Sequence, residues 1–100
     1  MTKNIDIYGA KWQVLFLPHT DIAFNNEFDG RCHYEERTIY IVNNQVSTAR
    51  TKEIVIHEIA HAVHWQMTDK MEIKDAESLC FFVERYAEEI IRLANEVMAG

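Results

Sequence analysis

Apolar and polar residues alternate through much of the first half of the chain, a pattern that predicts β-strands. The segment Lys11 to Leu17 (KWQVLFL) is rich in aromatic and aliphatic residues and ends at a proline. Asp29-Gly30 is a turn signal, and Arg31 to Glu35 with Arg37 to Val42 are typical of a hairpin. We therefore expect a small N-terminal antiparallel sheet.

The second half shows the spacing of two amphipathic helices. Ser47 or Thr48 can cap the first helix. A turn at Thr68 to Lys70 follows, where Asp69 and Glu72 are a plausible capping pair. The apolar stripe expected on the first helix is Ile56, Ala60, Val63 and Met67. The apolar face expected on the second is Ala76, Leu79, Cys80, Val83, Ala87, Ile90, Ala94 and Val97. Strands followed by helices predict one α+β domain over residues 1–100.

Composition and charge narrow the functional classes. The chain has 100 residues, of which 48% are hydrophobic and 26% charged, and this is typical of one globular domain. Its net charge of −6 argues against binding nucleic acid through phosphates. No apolar run approaches the roughly 20 residues of a membrane helix, and the N-terminus lacks the order of a signal peptide. We expect a cytoplasmic protein, and the sequence does not predict its oligomeric state.

The most informative stretch is His57-Glu58-Ile59-Ala60-His61, inside the first predicted helix. Residues four apart share a helix face, so His57 and His61 can point at one atom. Catalytic zinc takes three protein ligands, often imidazoles, and a water. Glu58 lies about 100° round the helix from His57, beside such a metal, where a general base belongs. A plain buried helix is the alternative, and it is disfavoured because buried His and Glu side chains need partners.

A third ligand has to come from elsewhere. The pattern HExxHxxGxxH of one protease class is excluded, because residue 64 is His and residue 67 is Met. A glutamate of the second helix is the remaining common option. If Asp69 is the centre of the turn, His61 lies eight residues before it and Glu77 eight after, which favours Glu77. Glu84, two turns further on, would suit a longer loop.

With these residues the chain resembles small HExxH zinc metallopeptidases of bacteria and phages, gluzincin-like and distantly similar to the ImmA/IrrE-type peptidases. The resemblance covers roughly residues 30 to 94, in GRCHYEERTIYIV, IVIHEIAHAVHW and ESLCFFVERYAEEIIRLA. It implies a zincin-like fold, Zn²⁺ and peptide hydrolysis. It also implies that Glu77, the first glutamate of the last segment, is the third ligand.

Two functional hypotheses follow. The leading one is a zinc peptidase in which Glu58 activates water and a peptide or protein substrate pairs with a sheet edge such as Arg37 to Val42. The rival is a non-catalytic zinc-stabilised module that binds a partner protein. Four aromatic residues near the motif could donate to an oxyanion or line the cleft. Packing or a surface position is the favoured interpretation for each. These residues are His33, Tyr34, His64 and Tyr86.

Overall fold

The chain folds into a four-stranded sheet followed by two helices, so the α+β class is confirmed. The structure is a computed structural model that describes residues 2–18, 20, 29–43, 47–68 and 73–99. The strands are β1 (Thr2–Ile7), β2 (Ala10–Leu17), β3 (Gly30–His33) and β4 (Thr38–Val42). The helices are α1 (Thr48–Met67) and α2 (Ala76–Met98). Neither helix of the described residues combines the length and apolarity needed to cross a membrane.

The sheet is mixed, with strand order β1-β2-β4-β3. The β1–β2 and β3–β4 pairs are antiparallel, as a hairpin reading predicts, but β2 and β4 run parallel. The expectation of an antiparallel sheet is thus wrong at its centre. Four of the five residues of β4 are buried, the near-continuous burial of an interior strand, and periodicity alone does not encode pairing direction.

Strand β1, which the hydrophobic pattern did not single out, joins β2 through a two-residue turn. Tyr8 and Gly9 both have positive φ, at 47° and 92°, as the tightest hairpin turns require. The Asp6 carboxylate accepts a hydrogen bond of 2.6 Å from the Gly9 backbone N–H. Ile5 and Ile7 are buried, so this short and otherwise polar strand still contributes to the core.

Helix α1 packs one face against the sheet, and its buried face differs from the predicted stripe. Ser47 is the N-cap and accepts a hydrogen bond from the Arg50 backbone N–H, as expected. Of the predicted stripe only Val63 is fully buried, whereas Ile56, Ala60 and Met67 are half-buried. The buried apolar residues of α1 are Ile54, Val55, Ile59, Ala62 and Val63. The predicted stripe is therefore wrong: it is displaced by about one residue from the observed buried face, because α1 packs against both the sheet and α2.

Helix α2 is buried at Phe82, Tyr86, Ile90, Leu93, Ala94 and Val97, while much of its first half is exposed. Its N-cap is Asp75, which forms a capping box with Ser78, while the proposed pair Asp69 and Glu72 lies outside the described residues. The predicted positions Ile90, Ala94 and Val97 are buried. The predicted positions in the first half are exposed instead, namely Ala76, Leu79, Cys80 and Val83. The first half of α2 therefore carries apolar side chains that the described residues leave uncovered.

Gln66 ties the end of α1 to the β1–β2 hairpin. Its side-chain oxygen accepts a hydrogen bond of 2.8 Å from the indole N–H of Trp12. Its side-chain nitrogen donates to the Ile7 carbonyl at 2.5 Å. Trp12 is only 1% exposed, so its polar N–H would otherwise be buried without a partner.

We expect Gln66→Leu to lower the free energy of unfolding by about 2 kcal/mol, since it leaves the buried Trp12 N–H and the Ile7 carbonyl without a hydrogen-bond partner. Chemical denaturation measures the change. Gln13→Leu is the matched control, because Gln13 is an exposed residue of β2 and its replacement should cost far less. Equal costs for the two variants would contradict the role assigned to Gln66.

Candidate metal and catalytic site

His57 and His61 converge on one point at the open face of α1. Their Nε2 atoms lie 3.2 Å apart and their rings are 4.8 Å apart between centroids. Both residues are exposed, and the His57 side chain is 67% accessible. The helix supplies this geometry by itself, because residues i and i+4 stack one turn apart. The two imidazoles therefore meet as the sequence predicted.

This spacing fits two ligands of one tetrahedral metal. With Zn–N distances of about 2.0–2.1 Å, two nitrogens of a tetrahedral site lie about 3.3 Å apart. Burial first, then the neighbouring His57 and His64, lower the pKa of His61, which favours the neutral imidazole that metals require. The donor chemistry and spacing of the pair thus suit Zn²⁺.

Glu58 lies on the sheet side of the pair and is buried. It is 6% exposed, and its Oε2 lies 4.0 Å from the His57 Nε2 atom. Burial raises the pKa of the Glu58 carboxyl to about 7. A carboxyl whose pKa lies near neutrality can both take and return a proton, which is what general acid–base chemistry needs. Glu58 therefore lies beside the histidines, and its role as a general base is still a prediction.

Gly30 makes this position possible, and sequence analysis missed it by treating Asp29-Gly30 as a turn. Gly30 opens β3 and faces α1. A Cβ at this residue would lie 2.9 Å from both the Glu58 Cγ and the Ile54 Cγ2 atoms. Only a residue without a side chain lets β3 approach α1 this closely. A glycine inside a strand is the signal that could have indicated the contact.

Cys32, two residues further along β3, lies on the same side of the strand as Gly30. Burial first, and the Glu58 carboxylate second, raise the pKa of the Cys32 thiol to about 12. In the metal-free protein the thiol is therefore protonated at neutral pH and is a poor nucleophile.

The helix register differs from the one that pointed to Glu77. The rings of His64 and Phe82 are 5.6 Å apart, so these residues lie at one level of the two helices. In an antiparallel pair the level of His61 then falls about three residues beyond Phe82, near Arg85. The register centred on Asp69 is wrong, because α2 starts only at Ala76.

Glu77 itself is exposed in the first turn of α2 and does not line the cleft that contains His57 and His61. Glu84 is also exposed and lines a different cleft, with Phe81 and Arg85. Within the described ranges no three His, Cys, Asp or Glu side chains come together as a metal site. The third ligand is therefore still a prediction.

Of the other candidate residues, Tyr34 and Tyr86 make packing contacts, whereas His33 lies against a carboxylate and His64 lines a cleft. His33 Nδ1 lies 3.1 Å from the Glu36 carboxylate. The Tyr34 ring stacks on Trp65 at 5.6 Å. Tyr86 is buried against Phe82. His64 is half-buried and lines the cleft beside His61, rather than lying at the surface as expected.

The sheet edge nearest the site is β3, not the strand suggested from sequence. β4, which lies within the predicted segment Arg37 to Val42, pairs with β2 on one side and β3 on the other. It has no free edge, so the prediction that a substrate pairs with it is wrong. Among the described residues β3 pairs only with β4, and its Gly30 faces α1.

Comparisons of this chain with protein-family models, with curated proteins and with solved structures found no match. The resemblance to HExxH peptidases therefore rests on the residues themselves. The zincin-like fold, the metal and the activity stay predictions at this point.

We expect Gly30→Ala to lower the free energy of unfolding by about 1–3 kcal/mol, the usual cost of overpacking. Glu58→Ala removes two of the three atoms that the new methyl group would meet. In that background the same Gly30→Ala change should cost no more than about half as much. Urea unfolding of the four proteins of this double-mutant cycle is the measurement. If Gly30→Ala lowers the free energy of unfolding equally in both backgrounds, the new methyl group does not clash with Glu58.

Proposed function

We propose that the protein is a zinc-dependent metallopeptidase of the HExxH, gluzincin-like type. One observation carries the proposal. The Nε2 atoms of His57 and His61 converge to 3.2 Å, and a buried carboxyl with a raised pKa lies directly beside them. A helix of ordinary structural role gains nothing from burying Glu58, since an unpaired carboxyl is costly to desolvate.

In this proposal His57 and His61 hold the metal, and Glu58 handles the proton. Bound zinc would act as a Lewis acid that lowers the pKa of a water molecule and polarises the substrate carbonyl. The Glu58 carboxylate accepts the proton of the attacking water and later returns it to the leaving amine. In the metal-free protein, burial raises the pKa of the Glu58 carboxyl, which makes it a stronger base than an exposed glutamate.

The substrate in this proposal is a peptide segment in extended conformation along β3. Among the described residues β3 is paired on one side only, so its other edge carries backbone groups with which an added strand can pair. Gly30 and Glu58 are in close contact where β3 meets α1, so a peptide on this edge would pass next to the proposed base.

A carboxylate completes the ligand set in this proposal, and Glu77 and Glu84 are its two named candidates. A zinc titration of Glu77→Gln and Glu84→Gln identifies it, because loss of a ligand weakens metal binding much more than loss of a surface charge. If both variants keep wild-type affinity, neither glutamate is the ligand and the assignment of a third ligand from α2 is wrong.

We expect the purified protein to hold about one zinc per chain, and His57→Ala and His61→Ala each to lose it. Elemental analysis after mild dialysis is the measurement. His33→Ala is the matched control, because His33 pairs with Glu36 and is not one of the proposed ligands, so its loss should leave zinc in place. A wild-type protein that contains no zinc and cannot be reloaded would refute the ligand assignment.

We expect Glu58→Gln to keep its zinc and its fold but to lose at least about 10²-fold in peptide cleavage, the scale of a positioned acid–base group. Cleavage is first established with a peptide library, with and without a chelator. Glu53→Gln is the control, since Glu53 is an exposed glutamate of the same helix.

The opposite result separates the two hypotheses. If zinc is bound but no chelator-sensitive cleavage occurs, and Glu58→Gln retains the cellular role of the protein, the non-catalytic binding module replaces the peptidase.

A further inference from the structure

An apolar stripe runs along one side of α2 and is open to solvent. Its members are Leu79, Val83, Ala87 and Ile91, which recur at every fourth residue and line a groove of about 500 Å³ between α1 and α2. Leu79, Val83 and Ile91 are 47%, 49% and 41% exposed, although all three are large hydrophobic side chains. Contiguous exposed apolar surface of this kind is typical of a place where another protein binds.

The shape of the groove suits a helix. A rise of about 1.5 Å per residue makes the stripe from Leu79 to Ile91 about 18 Å long, which is the length of about three helical turns. The facing wall of the groove is the α1 surface formed by Ile56 and Ala60. A partner helix lying along the groove would insert its apolar side chains between α1 and α2, as in other complexes in which a helix binds a groove.

Glutamates form a negatively charged rim along this stripe. Glu77, Glu84 and Glu88 are exposed. Their spacings of seven and four residues place them on one side of α2, about 100° round the helix from the centre of the stripe. A molecule that covers the stripe therefore meets carboxylates along its flank, and a cationic flank would complement them.

We propose that this groove binds an amphipathic helix of another protein, whose apolar face is bordered by Lys or Arg. Contact between the two apolar faces removes hydrophobic surface from water, while the basic flank meets the glutamate rim and sets the orientation of the helix. His57 and His61 belong to the wall of the same groove, so the docked helix would cover their open side. The inference goes beyond the proposed function, because it requires neither bound zinc nor peptide cleavage.

The same charges disfavour two other occupants. A second copy of the chain would present its own stripe with its own glutamates, and the net charge of −6 on each copy adds repulsion. An anionic membrane surface would be repelled by the rim in the same way. A basic amphipathic helix is the occupant that complements both the apolar stripe and its rim.

The first experiment measures the binding of three synthetic peptides by calorimetry. Each has about 16 residues, just over four helical turns. The lysine peptide has leucines at helical spacing and lysines along one flank, the glutamate peptide has glutamates in place of those lysines, and the scrambled peptide has the lysine composition in random order. We expect the lysine peptide to bind at least about tenfold more tightly than either of the others, and to gain helical circular dichroism on binding.

The location of binding is tested with substitutions in the stripe. Val83→Gln should weaken binding of the lysine peptide at least about fivefold, and Leu79→Gln should do the same. Both positions are exposed, so the fold should tolerate these changes. Phe81→Gln is the matched control, because Phe81 is 58% exposed on the same helix but does not line the groove.

The role of the rim is tested with Glu88→Lys, since Glu88 is not one of the candidate zinc ligands. At low ionic strength this change should weaken binding of the lysine peptide and strengthen binding of the glutamate peptide, each by about threefold or more. Glu96→Lys is the control with the same change in net charge. Glu96 lies 3.2 Å from Arg92, on the side of α2 away from the stripe. Equal effects of the two variants would contradict the assignment of the rim.

The remaining outcomes are equally decisive. Absence of binding of the lysine peptide, or binding that Val83→Gln and Leu79→Gln leave unchanged, overturns the inference. A concentration-dependent dimer, or binding to phosphatidylserine vesicles, that shifts the NMR resonances of Val83 and Ala87 assigns the groove to another occupant and also overturns it. These assays read neither zinc content nor cleavage, so the peptidase proposal and this inference can fail separately.

Discussion

The close contact between β3 and α1 is the constraint on which the candidate site depends. Gly30 leaves no side chain between the strand and the helix, and the Glu58 side chain occupies the space that a Cβ would need. Burial at this contact raises the pKa of the Glu58 carboxyl to about 7. The position of Glu58 and its raised pKa therefore both depend on the missing side chain of Gly30.

Three sides of helix α1 have different surroundings. One side packs its aliphatic residues into the core, a second presents Glu58 to β3, and a third presents His57 and His61 to the open side. At its end, Gln66 bonds to Trp12 and to the backbone of β1, which fixes the helix to the sheet at a second point. Orientation of the site thus comes from packing at both ends of one helix.

Local features were predictable from the sequence, and non-local ones were not. The Ser47 cap, the meeting of His57 with His61, and the stop of β2 before a proline all follow from near neighbours in the chain. The parallel pairing of β2 with β4 depends on residues far apart and has no periodic signature.

The prediction of the register between α1 and α2 was wrong for a related reason. It depends on where α2 starts, and Asp75 and Ser78 set this start several residues later than the Asp69 turn suggested. The exposure of Leu79 and Val83 could not be predicted from the sequence either, since their helical spacing is the same as that of a core stripe.

The parallel pairing of β2 with β4 has a consequence for how the protein reaches its native state. Both hairpins and both helices form from contacts close in sequence, whereas joining β2 to β4 requires closing the long segment between them. The two histidines share one helical turn, so their spacing is available as soon as α1 forms. The Gly30 contact with Glu58 is non-local and needs β3 already docked on α1. We expect low φ-values at Gly30 and higher ones in the middle of α1, so that the spacing of His57 and His61 is set before Glu58 is buried during folding.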